Sequence, residues 1–99
     1  MKQVLTIKYC PKCGWLLRAA YMAQEFLTTF TTDELKNVAL QPSEISGAYK
    51  VYIDNEIIFD RKASGGFLDI KELKQLVRDR IAPGKSLGHS DKKSATINE

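Results

Sequence analysis

The stretch Val4-Leu5-Thr6-Ile7-Lys8-Tyr9-Cys10-Pro11-Lys12-Cys13, with the run that opens at Trp15, decides the fold. From Val4 to Tyr9, Val4, Thr6 and Lys8 alternate with Leu5, Ile7 and Tyr9. That period of two, in β-branched and aromatic types, predicts a strand. Pro11 suits the first turn of a helix, where its missing N–H would be unpaired in any case. Trp15, Ala19, Met22, Phe26 and Phe30 then recur at helical spacing beside Leu16, Ala20, Ala23 and Leu27. The spacing predicts a long amphipathic helix with a wide apolar face. Cys10 therefore leaves the strand, and Cys13 is expected in the first turn of the helix.

Working outward, Thr31-Thr32-Asp33-Glu34 breaks the helix, and residues 37–41 carry Val38 and Leu40 toward one face before Pro42 stops the run. A second, short strand is predicted there. Residues 43–47 read as a loop. Residues 48–53 and 56–60 are β-rich and flank Asp54-Asn55, a dipeptide that tolerates the left-handed conformations of a tight hairpin. Residues 61–67 form a basic, glycine-containing connection. Asp69, three residues before Glu72, looks like a capping box opening a helix with Leu73, Leu76, Val77 and Ile81 inward, and Pro83-Gly84 ends it. The order is β-α-β-β-β-α. Its first β-α-β unit implies a parallel pair with a right-handed crossover, and the hairpin adds antiparallel strands. The expected fold is α/β (α+β): the minimal thioredoxin-like arrangement, a mixed four-stranded sheet with two helices. Residues 1–82 are expected to form this domain. Residues 83–99 hold too few large apolar groups to offset the entropy of ordering them, and a mobile tail is expected.

Ninety-nine residues make one domain. A hydrophobic share of 43% and a charged share of 27% with both signs interspersed are ordinary for a globular chain. Net charge is +3, from 15 Lys and Arg against 12 Asp and Glu, with no block of like charge longer than Lys92-Lys93. No nucleic-acid stripe follows from that pattern. Met1-Lys2-Gln3 precedes a short strand that Lys8 interrupts, which lacks the apolar stretch of a signal peptide or membrane span. The expectation is a cytoplasmic protein with no nucleic-acid or membrane partner. Composition does not set its oligomeric state.

Two cysteines three positions apart cannot staple a framework, so they read as a redox pair or a metal half-site. Near a helix N-terminus the unpaired amides and the helix dipole favour an anion, and a thiolate in a Cys-X-X-Cys setting titrates below the ordinary thiol value. Lys12 adds to this. The spacing lets one thiolate attack a disulfide and the other resolve the mixed intermediate within the chain. Catalytic roles are therefore assigned to Cys10 and Cys13, and no resident cofactor or metal is expected. Zinc usually needs four ligands, against Cys10, Cys13 and the single His89 on offer. Two inert buried cysteines are disfavoured because Pro11 and Lys12 argue for an exposed turn. Trp15 and Tyr9 read as packing residues. Pro11, Lys12 and Gly65-Gly66-Phe67 form a candidate rim for a partner. The glycines read equally as a tight turn, with Phe67 a hydrophobic staple before the capped helix.

Ile7-Lys8-Tyr9-Cys10-Pro11-Lys12-Cys13-Gly14-Trp15, Arg18-Ala19, Ala23-Gln24-Glu25, Asp60-Arg61-Lys62, Gly65-Gly66-Phe67, Arg78-Asp79 and Leu87-Gly88-His89-Ser90-Asp91 together resemble the selenoprotein W (Rdx) family, in its bacterial cysteine-containing members. The resemblance covers nearly the whole chain. It implies a thioredoxin-like fold and a redox role often linked to glutathione, with glutathione as co-substrate and glutathione or protein thiols as partners. Selenium in that family replaces the cysteine that is Cys13 here, which implies that Cys13 attacks and Cys10 resolves. Thioredoxin itself implies the reverse. Thioredoxins also place a proline before the hairpin to dock substrate, whereas Ile45-Ser46-Gly47-Ala48 has none, so docking is expected at the glycine loop. The alternative function is a non-catalytic, redox-controlled protein-binding module in which oxidation changes the loop 63–67. A zinc-binding adaptor is the third.

Overall fold

The computed structural model describes residues 3–88. Four strands, β1 (Gln3–Tyr9), β2 (Leu35–Pro42), β3 (Tyr49–Ile53) and β4 (Glu56–Asp60), form one sheet in the order β2-β1-β3-β4. β1 and β2 run parallel, and the other pairs are antiparallel. Among the described residues three α-helices accompany them: α1 (Leu16–Thr29), the single turn α2 (Arg61–Ser64) and α3 (Ile70–Ile81). The fold is the thioredoxin-like α+β arrangement expected from the element order.

The alternation in β1 works as read. Leu5, Ile7 and Tyr9 point into the core beside Tyr49, Val51 and Ile53 of β3. Ala19, Met22 and Phe26 of α1 and Leu73 and Val77 of α3 join the same cluster, so both long helices cover one face of the sheet. The other face carries Thr6, Lys8, Lys50 and Tyr52, with the Lys8 ammonium 5.7 Å from the centre of the Tyr52 ring. Lys74 and Glu25 pair at 2.7 Å and link the two helices.

The apolar face of α1 is narrower than its periodicity suggests. Leu16, Leu17 and Leu27 lie in solvent, Leu17 at 80% exposure. α1 crosses from β1 to the edge strand β2, so sheet and neighbouring helix meet only part of its circumference.

The tight turn at Asp54-Asn55 forms as expected, Asp54 adopting φ 55°. Its carboxylate also accepts the backbone N–H of Val4 at 3.2 Å and the Gln3 amide at 3.3 Å, tying the hairpin to the start of β1. Asp69 caps α3 by accepting the N–H of Lys71 at 2.9 Å. Two expectations need correction. β2 begins at Leu35 and includes Pro42, which a strand at the sheet edge tolerates because one side of its backbone needs no ladder partner. Among the described residues the α-helix count rises from two to three, because Asp60 accepts the N–H of Lys62 and Gly65 closes the turn at φ 81°, folding Arg61–Ser64 into a helical turn.

Of the segment read as a tail, residues 83–88 are described. Lys85 pairs with Glu34 at 2.9 Å, its carbonyl accepts from Arg78 at 2.7 Å, and Leu87 packs against the core. Residues 89–99, His89 among them, lie outside the described residues. Among the described residues no helix is long and apolar enough to cross a membrane.

Candidate redox site

The strand order builds the site. β1 and β2 end together, with Tyr9 beside Pro42, and β3 starts at Tyr49, opposite Tyr9 on the other flank of β1. The connection from β2 to β3 must therefore cross the C-terminal end of β1. Cys10 is the residue beneath that crossing, and it is only 2% exposed. The crossing is fastened where it starts, the N–H of Ser43 donating to the Tyr9 carbonyl at 2.7 Å.

From Cys10 the chain makes a single 3-10 turn, Pro11–Cys13, in which the N–H of Cys13 donates to the Cys10 carbonyl at 3.3 Å. Gly14 follows at φ 77°, Trp15 is the N-cap, and α1 opens at Leu16. This corrects the expectation that Cys13 occupies the first turn of the long helix. A left-handed residue ends the short turn and re-aims the chain, and glycine adopts that conformation without a Cβ penalty. Cys13 accordingly lies outside the first turn of α1, away from that helix's unpaired N-terminal amides. Exposure distinguishes the two thiols instead: Cys10 is buried, whereas Cys13 is half-buried between exposed Lys12 and Gly14.

Cys10 and Cys13 are joined as a disulfide with their Cα atoms 5.3 Å apart. Behind them Trp15, Tyr49 and Phe67 form a triad of edge-on contacts with centroids 5.0 to 6.0 Å apart, a favourable arrangement for aromatic quadrupoles. Burial pushes the Tyr49 phenol well above its ordinary 10, against a smaller opposing pull from Arg18. Its hydroxyl donates to the Met22 sulfur at 3.5 Å. Tyr49 is thus held as a neutral packing group, and Trp15 has the packing role expected of it.

A cleft of about 620 Å³ opens beside Cys10, lined by Cys10, Pro11 and Lys12 on one wall and by residues 42–46 on the other, with Cys13 outside its lining. Of the candidate rim, Pro11 and Lys12 border the cleft. Gly65 closes α2, and Phe67 is packed into the aromatic triad, on Trp15 rather than in the cleft wall. The wall formed by Pro42, Ser43, Glu44, Ile45 and Ser46 was passed over in the sequence, where Pro42 lies far upstream of the hairpin, 45–48 hold no proline and docking was expected at the glycine loop. Its signal was positional: a segment leaving the strand parallel to β1 at its C-terminal end lands beside whatever β1 delivers there. Among the described residues no group of three or more His, Cys, Asp or Glu is placed to hold a metal ion.

The model of the Rdx family matches residues 4–79, a span that takes in β1, the Cys10–Cys13 turn and most of α3. The chain belongs to the Rdx family. The resemblance to selenoprotein W drawn from the motifs is borne out by solved structures as well. A crystal structure of a Bordetella parapertussis protein is 45% identical, covering 81% of this chain and 99% of its own with a TM-score of 0.76. A selenoprotein W-related protein from Vibrio cholerae is 42% identical, covering 82% of this chain and 99% of its own, also with a TM-score of 0.76. No curated protein matches the chain. A Cys-X-X-Cys disulfide at the end of β1 in an Rdx family fold points to redox function.

Proposed function

We propose that the protein is a thiol-disulfide oxidoreductase in which Cys13 attacks and Cys10 resolves. The observation that carries this reading is the asymmetry of the pair: Cys13 is half-buried beside exposed neighbours, while Cys10 is 2% exposed under the crossing segment. An incoming disulfide meets Cys13 first. The Cys13 thiolate attacks one sulfur of the partner disulfide, forms a mixed disulfide and expels the partner's other sulfur as a thiolate. Cys10, as thiolate, then attacks the Cys13 sulfur, closes the Cys10–Cys13 disulfide and releases the second partner thiol. The partner gains two electrons and the pair loses them. Two glutathione thiols reverse the process and leave as glutathione disulfide, which makes glutathione the co-substrate of a cytoplasmic cycle with protein or glutathione-mixed disulfides as partners.

The test is exchange with a glutathionylated peptide, followed by mass analysis after acid quenching. Cys13→Ser is expected to lose all exchange. Cys10→Ser is expected to attack once and accumulate as a mixed disulfide. The inverse pattern would assign attack to Cys10. Undiminished exchange in Cys13→Ser would sink the oxidoreductase reading and leave the redox-controlled binding module.

A further inference from the structure

The segment that crosses the end of β1 forms one wall of the cleft, and it is fastened at its start to Tyr9, just before the cysteine turn, and at its end to Arg61, which lies over Trp15 just after it. At its start Ser43 is bonded to Tyr9, immediately before Cys10. At its end the carbonyl of Gly47 accepts two hydrogen bonds from Arg61, from Nη2 at 2.9 Å and from Nε at 3.3 Å. The same guanidinium lies 4.8 Å from the centre of the Trp15 ring, two residues beyond Cys13. Gly47 takes φ 77°, and a Cβ there would stand 3.3 Å from Arg61 Nη2 and 3.3 Å from the Lys62 side chain, so the wall is closely seated on the residues that hold it. The segment is also braced by its own turns, Ile45 N–H to Ser43 Oγ at 3.0 Å and, just past Gly47, Ala48 N–H to the Ile45 carbonyl at 3.2 Å.

Arginine suits this post for a physical reason. Its planar fork presents two N–H groups in one plane to a single carbonyl while its face stacks on an indole, and lysine offers neither the plane nor the second donor in fixed geometry. Its backbone is set by the helical turn that Asp60 caps, so it reaches the wall from an element separate from both cysteines.

We infer that Arg61 is a positioning residue that, by holding Gly47, sets the cleft wall 42–46 against the Cys10–Cys13 turn, and thereby governs how a disulfide partner larger than a small reagent reaches the pair. The inference rests on the oxidoreductase reading for its kinetic consequence and on the fold alone for its structural one. Arg61 exchanges no electrons and touches no reacting atom. Its effect passes through the position of the Gly47 carbonyl.

The experiment compares wild type, Arg61→Met and Arg61→Lys. Amide hydrogen exchange is expected to show the Ala48 amide, which is bonded back to Ile45 of the wall, opening about tenfold faster or more in Arg61→Met, with the β1 and β3 amides unchanged. For a disulfide-linked peptide KM is expected to rise about tenfold with kcat within about twofold, while alkylation of reduced Cys13 by iodoacetamide stays at the wild-type rate. Arg61→Lys, which keeps the charge and loses the fork, is expected to fall between the two, and it serves as the test should Arg61→Met fail to fold. Unchanged exchange of the Ala48 amide in the folded variant would overturn the inference. So would a peptide KM equal to wild type, or a loss confined to kcat. If wild type exchanges with no disulfide at all, the proposed function fails, and the amide measurement still decides whether Arg61 holds the wall.

Discussion

The carboxylate of Glu34 accepts the backbone N–H of Thr31 and the ammonium of Lys85, both at 2.9 Å. These bonds favour its charged form, and the Thr31 amide, followed by Lys85, lowers its pKa below the ordinary 4.5. A group whose folded pKa is depressed contributes stability that is whole above the unfolded value and is lost as pH falls through the folded one. Replacing Glu34 with Gln is thus expected to lower the melting temperature at about pH 7, and the gap to wild type should narrow as pH falls below the ordinary 4.5 and through the depressed folded value. Thermal melts of both proteins from neutral into acid check it. A gap that persisted in acid would assign the loss to packing. Nothing local announced this interaction, because Thr31 to Glu34 read only as a helix break and Lys85 lies 51 residues away. Asp54 was legible by contrast: its turn preference acts on its own backbone, although its bonds to Gln3 and Val4 depend on which strands pair.

Elements whose signal is periodic or capped emerged from the sequence nearly whole. β1, α1, the Asp54-Asn55 hairpin and α3 follow from alternation, helical spacing, turn chemistry and the Asp69 cap. α2 did not, since four residues hold no period and its stop is a glycine that equally permits a loop. The start of α1 shifted for a similar reason, Pro11 having opened a separate turn that Gly14 closes. The cap of α3 allows a quantitative check. Removing the Asp69 carboxylate leaves the Lys71 amide without its side-chain acceptor at the first turn, and Asp69→Ala is expected to cost about 1 kcal/mol. A lower urea midpoint at constant m would show it, and an unchanged midpoint would mean that solvent serves that amide equally well.

At the scale of the molecule, motif and topology contribute different parts of the site. Cys10 and Cys13 were legible because their chemistry is fixed by residue type and spacing. The wall 42–46 and its Arg61 fastening were not, because they depend on β2 and β3 flanking β1, a choice the hydrophobic pattern leaves open. The same architecture decides how mutations in α1 divide. Phe26 is fully buried where α1 meets the single core that both long helices share, while Leu17, on the same helix, is 80% exposed. Phe26→Ala should cost about 3–5 kcal/mol, much of the stability of a domain whose total is about 5–15 kcal/mol. Leu17→Ala should stay within about 0.5 kcal/mol. Urea unfolding followed by the fluorescence of Trp15, the single tryptophan in the chain, measures both. A comparable loss from the two variants would mean that the outer face of α1 is covered in solution. A loss confined to Phe26→Ala fits one core on one face of the sheet, with the outer face of α1 left to solvent.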